Sequence, residues 1–550
     1  MDILQPTLLS NIIDVGVANG DKSYIIKTGA IMITAAISGL VGGMLCSIFA
    51  SIAATKLAQE LRKDLFKKIQ GLSFLEIDRF KTSSLITRLT NDVNQIQNMV
   101  MMSLKVAIRA PLTAIGGIVM GTLLSPKLAV VFLVIIPIIL CLVVFILYKS
   151  FPLFRLMQEK IDKVNLVIRE NILGISVTKA FNLENKQLER FDDANYDLMD
   201  KSIKAQNITI ILMPIVTLIV NLSIVIVLWY GLNLVDLGVL ESGKIIAFIN
   251  YLIQIMSSLM IVVTLVINFS RANASADRVN AVLETNSSIV EVDNSVEISN
   301  FDVEFKNVSF KYHKNSEDVL SNISFKVEEG EKIGIIGGTG SGKSSLVALI
   351  PRLYDVSSGE ILIGGVNVKN IKLSSLRDKI GIVLQENILF SGSIRDNLEF
   401  AKRDVNDEEM NKAAKTAQAY EFISSKEGMY DYVLEQRGKN LSGGQKQRLS
   451  ITRTILKNPK ILILDDSSSA LDMSTERRLQ DAIKNDMNGC TTFMIAQRIS
   501  GIMDADKIIV LDDGKISGIG THKELISSNE IYRSIAVTQL GEEVVNSECR

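Results

Sequence analysis

Residues 337–344 read Gly337-Gly338-Thr339-Gly340-Ser341-Gly342-Lys343-Ser344, and this octet decides the fold of the carboxy-terminal half. It matches G-x-x-x-x-G-K-[ST], in which glycines let successive backbone N–H groups curl around a phosphate. The motif needs a strand before it and a helix after it. Glu331–Ile336 is a short β-like run entering the turn, and Leu346–Leu353 is an apolar stretch leaving it. A helix amino terminus at that point adds positive potential. Lys343 would then reach the β- and γ-phosphates, while the Ser344 hydroxyl would ligate Mg²⁺. At average composition the pattern arises by chance roughly 0.02 times in a chain of this length, so a plain glycine turn is a weak rival. Further along, the aliphatic run Ile461–Leu464 ends in Asp465-Asp466. A strand buried in a parallel sheet and ending in aspartate sets that carboxylate on the metal of a bound nucleotide. Acidic strand ends also serve as plain caps, and it is the glycine loop that favours the metal reading for Asp465.

Outward from this core the composition changes. The 550 residues are 47% hydrophobic with mean hydropathy +0.28, and nearly all long uncharged runs lie before Arg271. A helix needs about 20 apolar residues to cross a bilayer. Thr28–Thr55, Leu128–Tyr148, Asn207–Val235 and Ile245–Ser270 meet that need, and Ala110–Pro126 does so once Val106–Ile108 extends it past Arg109. Five spans are expected, over about 25–55, 106–126, 128–148, 207–235 and 245–270. Buried helices of a soluble core rarely stay uncharged for so long. Ile3–Ile13 is only half long enough, so a partial span over about 1–18 is expected, the chain beginning partway through a first helix. Lys56–Lys81 and Lys149–Lys204 are rich in Lys and Arg and are read as cytoplasmic, their helical spacing carrying them beyond the membrane as stalks. The domains expected are a transmembrane domain over 1–282, a polar linker over 283–300 and a soluble α/β domain over 301–550. Net charge is −1, which gives no signal for nucleic acid. Cys46, Cys141, Cys490 and Cys549 lack metal-ligand spacing and read as small buried residues.

Leu441-Ser442-Gly443-Gly444-Gln445, followed by Lys446-Gln447-Arg448, resembles the signature of the ATP-binding cassette (ABC) superfamily. Other cassette elements follow suit. Tyr312 stands where the family has its adenine-stacking aromatic, and Gln385 in Val383-Leu384-Gln385-Glu386 looks like the Q-loop. Ser469-Ala470-Leu471-Asp472 looks like the D-loop, while Glu435-Gln436-Arg437-Gly438 holds the X-loop position with altered wording. The resemblance covers the whole chain and is to exporters that normally have six spans. It implies a P-loop NTPase domain behind an α-helical bundle in the plasma membrane, with the cassette cytoplasmic. It implies ATP held by Gly337–Ser344 with Ser345, and Mg²⁺ held by Ser344, Gln385 and Asp465. Turns near Ser73–Phe80 and Phe181–Asn185 would be the coupling helices that touch the cassettes. In the family two cassettes pair head to tail, each ATP lying between the phosphate loop of one and the signature of the other. Ser442, Gly443, Gly444 and Gln445 would therefore serve a second half-transporter, with membrane lipid and an amphipathic small molecule as the remaining partners.

Two positions depart from the family pattern. The family's catalytic glutamate should directly follow the metal-binding aspartate at the strand end, here Asp465, and Asp466 stands there. The switch histidine should lie in Phe493-Met494-Ile495-Ala496-Gln497-Arg498, and Gln497 occupies its place. The chain has only His313 and His522, neither of which follows a strand near the phosphates. Aspartate is one methylene short, and misplacement of about 1 Å can cost ~10²-fold in rate. Glutamine can hydrogen-bond a γ-phosphate but cannot become cationic. With an intact signature, this is the pattern of a degenerate-site subunit in a heterodimer, with Asp466, Gln497 and Gln385 as its catalytic positions. The expected function is ATP-driven export of drugs, lipids or other amphipathic compounds. A homodimer with two slow sites is one alternative. Another is an ATP-sensing or channel-like subunit, although the spans carry almost no charge to line a conductive path.

Overall fold

The computed structural model describes all residues except 292–295, 297, 314–315 and 549–550, so part of the expected linker and Cys549 lie outside the described residues. The chain divides into two compact units. One comprises Met1–Lys67 and Ser83–Glu284, the other Lys68–Thr82 and Thr285–Arg550.

The first unit is helical. Five helices are long and apolar enough to cross a membrane: Lys22–Gln70, Thr82–Leu124, Pro126–Leu173, Glu184–Asp236 and Ser242–Leu283. Leu4–Asn11 and a π-helical turn, Ile12–Val17, fill the place of the expected partial span. The tight turn between the second and third long helices is written locally. Ser125 caps the third by accepting from the Leu128 N–H, and Pro126 opens its first turn, where no N–H partner is needed. Phe132 and Phe248 stack in the bundle core with ring centroids 4.4 Å apart. Gly121 permits this, because a Cβ there would meet Phe132 at 2.6 Å. The opposite faces carry exposed Leu133, Tyr148 and Trp229. Apolar faces of that extent need lipid or another chain to cover them. Beyond the apolar stretches, helices Pro126–Leu173 and Glu184–Ile210 pair along Val164, Val167 and Ala194, with Lys160–Asp197 at 2.6 Å and Arg190–Glu170 at 2.7 Å across the seam.

The second unit is α/β. Its strands are β1 (Val303–Phe310), β2 (Leu320–Val327), β3 (Lys332–Gly337), β4 (Ser358–Ile363), β5 (Val366–Asn367), β6 (Ile380–Val383), β7 (Gly392–Ser393), β8 (Val433–Leu434), β9 (Ile461–Asp465), β10 (Thr491–Ile495), β11 (Lys507–Asp512) and β12 (Lys515–Gly520). The main sheet runs β12-β11-β3-β10-β9-β6, parallel except for the β11–β12 hairpin. β9 is buried at every residue, as a central parallel strand demands, and so reads as an unbroken aliphatic run. A separate antiparallel sheet, β2-β1-β4-β5, closes over the other side of a shared core that includes Phe305, Phe310, Ile335, Leu346 and Ile463.

A short helix from far upstream, Phe74–Phe80, belongs to this unit. Ser73 and Glu76 form its capping box, and the other Glu76 oxygen accepts from the Ser288 N–H at 3.2 Å. Tyr354 donates its hydroxyl to Asp78 at 2.8 Å, and its ring centroid lies 6.0 Å from that of Phe74. The second expected coupling turn, Phe181–Asn185, follows a short helix, Ile175–Ala180, and leaves Phe181 exposed.

Candidate functional site

Adjacent parallel strands place their carboxyl ends level. Ile495 of β10 is paired with Asp465 of β9 on one side and with Ile335 of β3 on the other. The segments leaving β3, β9 and β10 therefore emerge side by side, carrying the glycine loop, Asp466 and Gln497. In open parallel sheets ligands bind in this crevice. A cavity of about 580 Å³ opens there, walled by the glycine loop, Gln385, Asp465, Asp466, Gln497 and, from the late helix Glu530–Leu540, Gln539.

The loop keeps its shape because its glycines are needed where they stand. A Cβ on Gly337 would lie 2.1 Å from the Leu511 carbonyl oxygen, and one on Gly342 would lie 2.7 Å from the Leu320 side chain. Gly340 and Gly342 also take φ of +84° and +93°, which L side chains avoid. Lys343 opens the next helix and curls over the loop, its Nζ donating to the carbonyls of Gly337 (3.0 Å) and Gly338 (2.7 Å). Burial lowers its pKa, and the charges of Asp465 and Asp466 oppose that shift. Thr339, Ser344 and Ser345 also line the cavity. Tyr312 stands beside the wall, its hydroxyl 2.8 Å from Ser345 Oγ and its ring packed edge-on against Tyr354 at 5.2 Å.

Ser344 Oγ donates to Asp465 Oδ1 at 2.9 Å, which brings two hard oxygens together beneath the loop. Gln385 leaves β6 onto the same cavity. Among the described residues no group of three or more His, Cys, Asp or Glu could hold a metal alone. This donor set suits Mg²⁺, which is bound through one or two carboxylates and completed by phosphate oxygens and water. Burial raises the Asp465 carboxyl above its ordinary range, and the neighbouring Asp466 charge adds to the shift, while Ser344 and Lys343 oppose it.

Asp466 takes a left-handed φ of 50°, a conformation that Asp tolerates better than most residues. Its Oδ2 accepts from Gln497 Nε2 at 2.8 Å. Its carboxyl is also shifted upward by burial, against the Gln497 hydrogen bond and the charges of Lys343 and Arg498. Neither histidine lines this cavity. His522 is buried with its Nδ1 2.6 Å from the Tyr532 hydroxyl, and His313 is exposed.

The structure does not bring the signature to this cavity. Ser442 caps the helix Gly443–Leu456 in a capping box with Gln445, and none of Ser442, Gly443, Gly444 and Gln445 lines it. Gly444 is required for close packing, since a Cβ there would lie 2.9 Å from the Ala470 carbonyl. Two connecting side chains escaped sequence reasoning. Buried Gln447 donates to the Asp466 carbonyl at 3.1 Å and accepts from the Ala470 N–H at 3.2 Å, tying the signature helix to the strand end and the D-loop. Gln539 is the other, and no local pattern marks it.

The description "ABC transporter transmembrane region" matches residues 1–259, and "ABC transporter" matches residues 320–469. YfiB of Bacillus subtilis (strain 168), an uncharacterized ABC transporter ATP-binding protein, is 41% identical over 543 residues, covering 99% of this chain and 94% of its own. YgaD of the same organism, a putative multidrug export ATP-binding/permease protein, is 36% identical over 480 residues, or 87% and 83% of the two chains. The solved structure of a bacterial Atm1-family ABC exporter with ATP bound matches with TM-score 0.81 at 25% identity, covering 98% of this chain and 95% of that one.

Proposed function

This chain belongs to the ABC transporter family, as an exporter half-transporter with one membrane region and one ATPase domain, and from that premise we propose that it exports amphipathic compounds as the degenerate-site half of a heterodimer. The observation that carries the proposal is the Gln497–Asp466 hydrogen bond, which joins the two positions where the family pattern has a histidine and a glutamate. Lys343 and the loop N–H groups would hold the phosphates of ATP, and Ser344, Asp465 and Gln385 would hold Mg²⁺. Bound there, the metal neutralises phosphate charge. Asp466, a methylene short and engaged by Gln497, orients water poorly. Gln497 stays neutral and cannot oppose charge developing on the γ-phosphate. The site binds ATP and turns it over slowly. The signature, which does not line this chain's own cavity, completes the site of the other subunit. Apolar spans with few polar residues favour drugs, lipids or similar amphiphiles, in keeping with the multidrug description of YgaD.

The test is composition of the native assembly. The tagged full chain, expressed with the reading frames flanking its gene, should copurify with a different half-transporter that has both the glutamate and the histidine. Recovery of this chain alone, self-associated and exporting, contradicts the heterodimer.

A further inference from the structure

β10 ends at Ile495, and the last hold of the sheet on this backbone is the Ala496 N–H donating to the Ile335 carbonyl at 3.3 Å; the next ordered turn is Ile499–Gly501. Between these lies Gln497, on the cavity wall. The side chain of Gln539 grips the backbone on either side of Arg498. Its Nε2 donates to the Gln497 carbonyl at 2.8 Å, and its Oε1 accepts from the Ile499 N–H at 2.8 Å. A primary amide is suited to this, because it presents a donor and an acceptor in one plane. The helix that carries Gln539 is itself anchored. Tyr532 is fully buried against His522, and Asn529 caps the helix while donating to Ser517 of β12 at 3.0 Å. From the far side Gln480 donates to the Gly501 carbonyl at 2.9 Å. A chain of fixed contacts thus runs from the sheet edge through Gln539 to the backbone of Gln497.

We infer that Gln539 is a positioning residue for ATP turnover, fixing the Gln497–Ile499 backbone so that the Gln497 side chain faces Asp466 and the phosphate end of the cavity. The inference rests on reading that cavity as an ATP site. Gln539 acts through backbone groups and leaves the binding of nucleotide to the glycine loop.

The experiment uses the purified full chain in nanodiscs, with ATP-analogue labelling, single-turnover hydrolysis of γ-labelled ATP, and amide hydrogen exchange. Gln539→Met keeps length and removes both hydrogen bonds. ATP-analogue labelling should persist, exchange across residues 496–503 should rise, and turnover should slow by about tenfold to ~10²-fold, the scale of a misplaced group. Gln539→Glu keeps the acceptor for Ile499 but not the donor to Gln497. It should preserve protection at the Ile499 amide and slow turnover by less. Unchanged turnover in Gln539→Met overturns the proposal, whatever the exchange does. A rise in exchange that extends equally over β12 and the helix His522–Ser528 overturns it too, because Gln539 would then only support the local fold. Wild-type chain that takes up no ATP analogue defeats instead the ATP reading on which the proposal stands.

Discussion

Asp465 and Asp466 are neighbours at one strand end, and burial is the first cause that holds both carboxyls above their ordinary range. The folded chain therefore binds their protons more tightly than the unfolded chain does. This contribution favours folding below the ordinary Asp range, about pH 3.9, and is lost as pH rises through the raised values. At neutral pH the pair opposes folding. Asp466→Asn should accordingly raise the thermal midpoint of the cassette at neutral pH, with the difference shrinking as pH falls toward the ordinary Asp range; a lower midpoint at neutral pH would contradict this. Lys343→Ala removes the cation from the loop. Hydrogen bonds to charged groups are worth roughly 1.5–3 kcal/mol, so ATP-analogue labelling should weaken by about ten- to a hundredfold. Undiminished labelling would show that the loop does not hold phosphate. Asp466→Glu with Gln497→His should raise hydrolysis at this site, on the ~10²–10⁴-fold scale of general acid–base groups. That Lys343, Ser344 and Asp465 gather at one cavity was legible in the sequence, because the motifs that hold them are written by neighbours within a few positions. Gln447 and Gln539 were not, because their partners lie 19 to 42 residues away and nothing beside them in the chain marks the contact.

Among elements, those written by one uninterrupted apolar pattern could be read directly. β3 and β9 are short aliphatic strands buried in a parallel sheet, and the spans are long apolar runs within longer helices. The antiparallel sheet was less legible. β4 reads Ser-Gly-Glu-Ile-Leu-Ile and β5 has two residues, so neither carries enough alternation to announce a strand. The π-helical turns at Arg88–Asp92 and Ser103–Ala107 were illegible for another reason: no Pro or Gly marks them, and they arise from backbone hydrogen bonding alone. The helix Phe74–Phe80 was expected only from the family resemblance, and its attachment through Tyr354 depends on a residue far along the chain. Burial and the Asp78 charge keep the Tyr354 hydroxyl protonated as a donor. Tyr354→Phe keeps the ring contacts with Phe74 and Tyr312 and removes only this bond, which should cost about 1 kcal/mol in thermal unfolding of the cassette while ATP labelling persists. Unaltered stability would show that the hydroxyl contributes nothing to holding the helix.

For the whole molecule, one chain supplies a membrane unit and an ATPase unit, and within the latter the glycine loop and the signature do not share a cavity. The glycine loop, Asp465 and Gln497 surround one cavity, and the signature helix at Ser442 lies outside it. The sequence could show which motifs are present and which two positions are altered. Which subunit supplies the complementary motifs is a property of the assembly, carried by a second chain. On the proposed function, this chain's own site contributes little to turnover while its signature serves an active site elsewhere. The direct measurement is steady-state ATPase of the reconstituted heterodimer carrying either Asp466→Ala in this chain or the corresponding alanine at the other subunit's catalytic glutamate. Asp466→Ala should leave turnover nearly unchanged, and the substitution in the other subunit should abolish it. If Asp466→Ala by itself silences the complex, the site is catalytically competent and the claim of asymmetry is wrong.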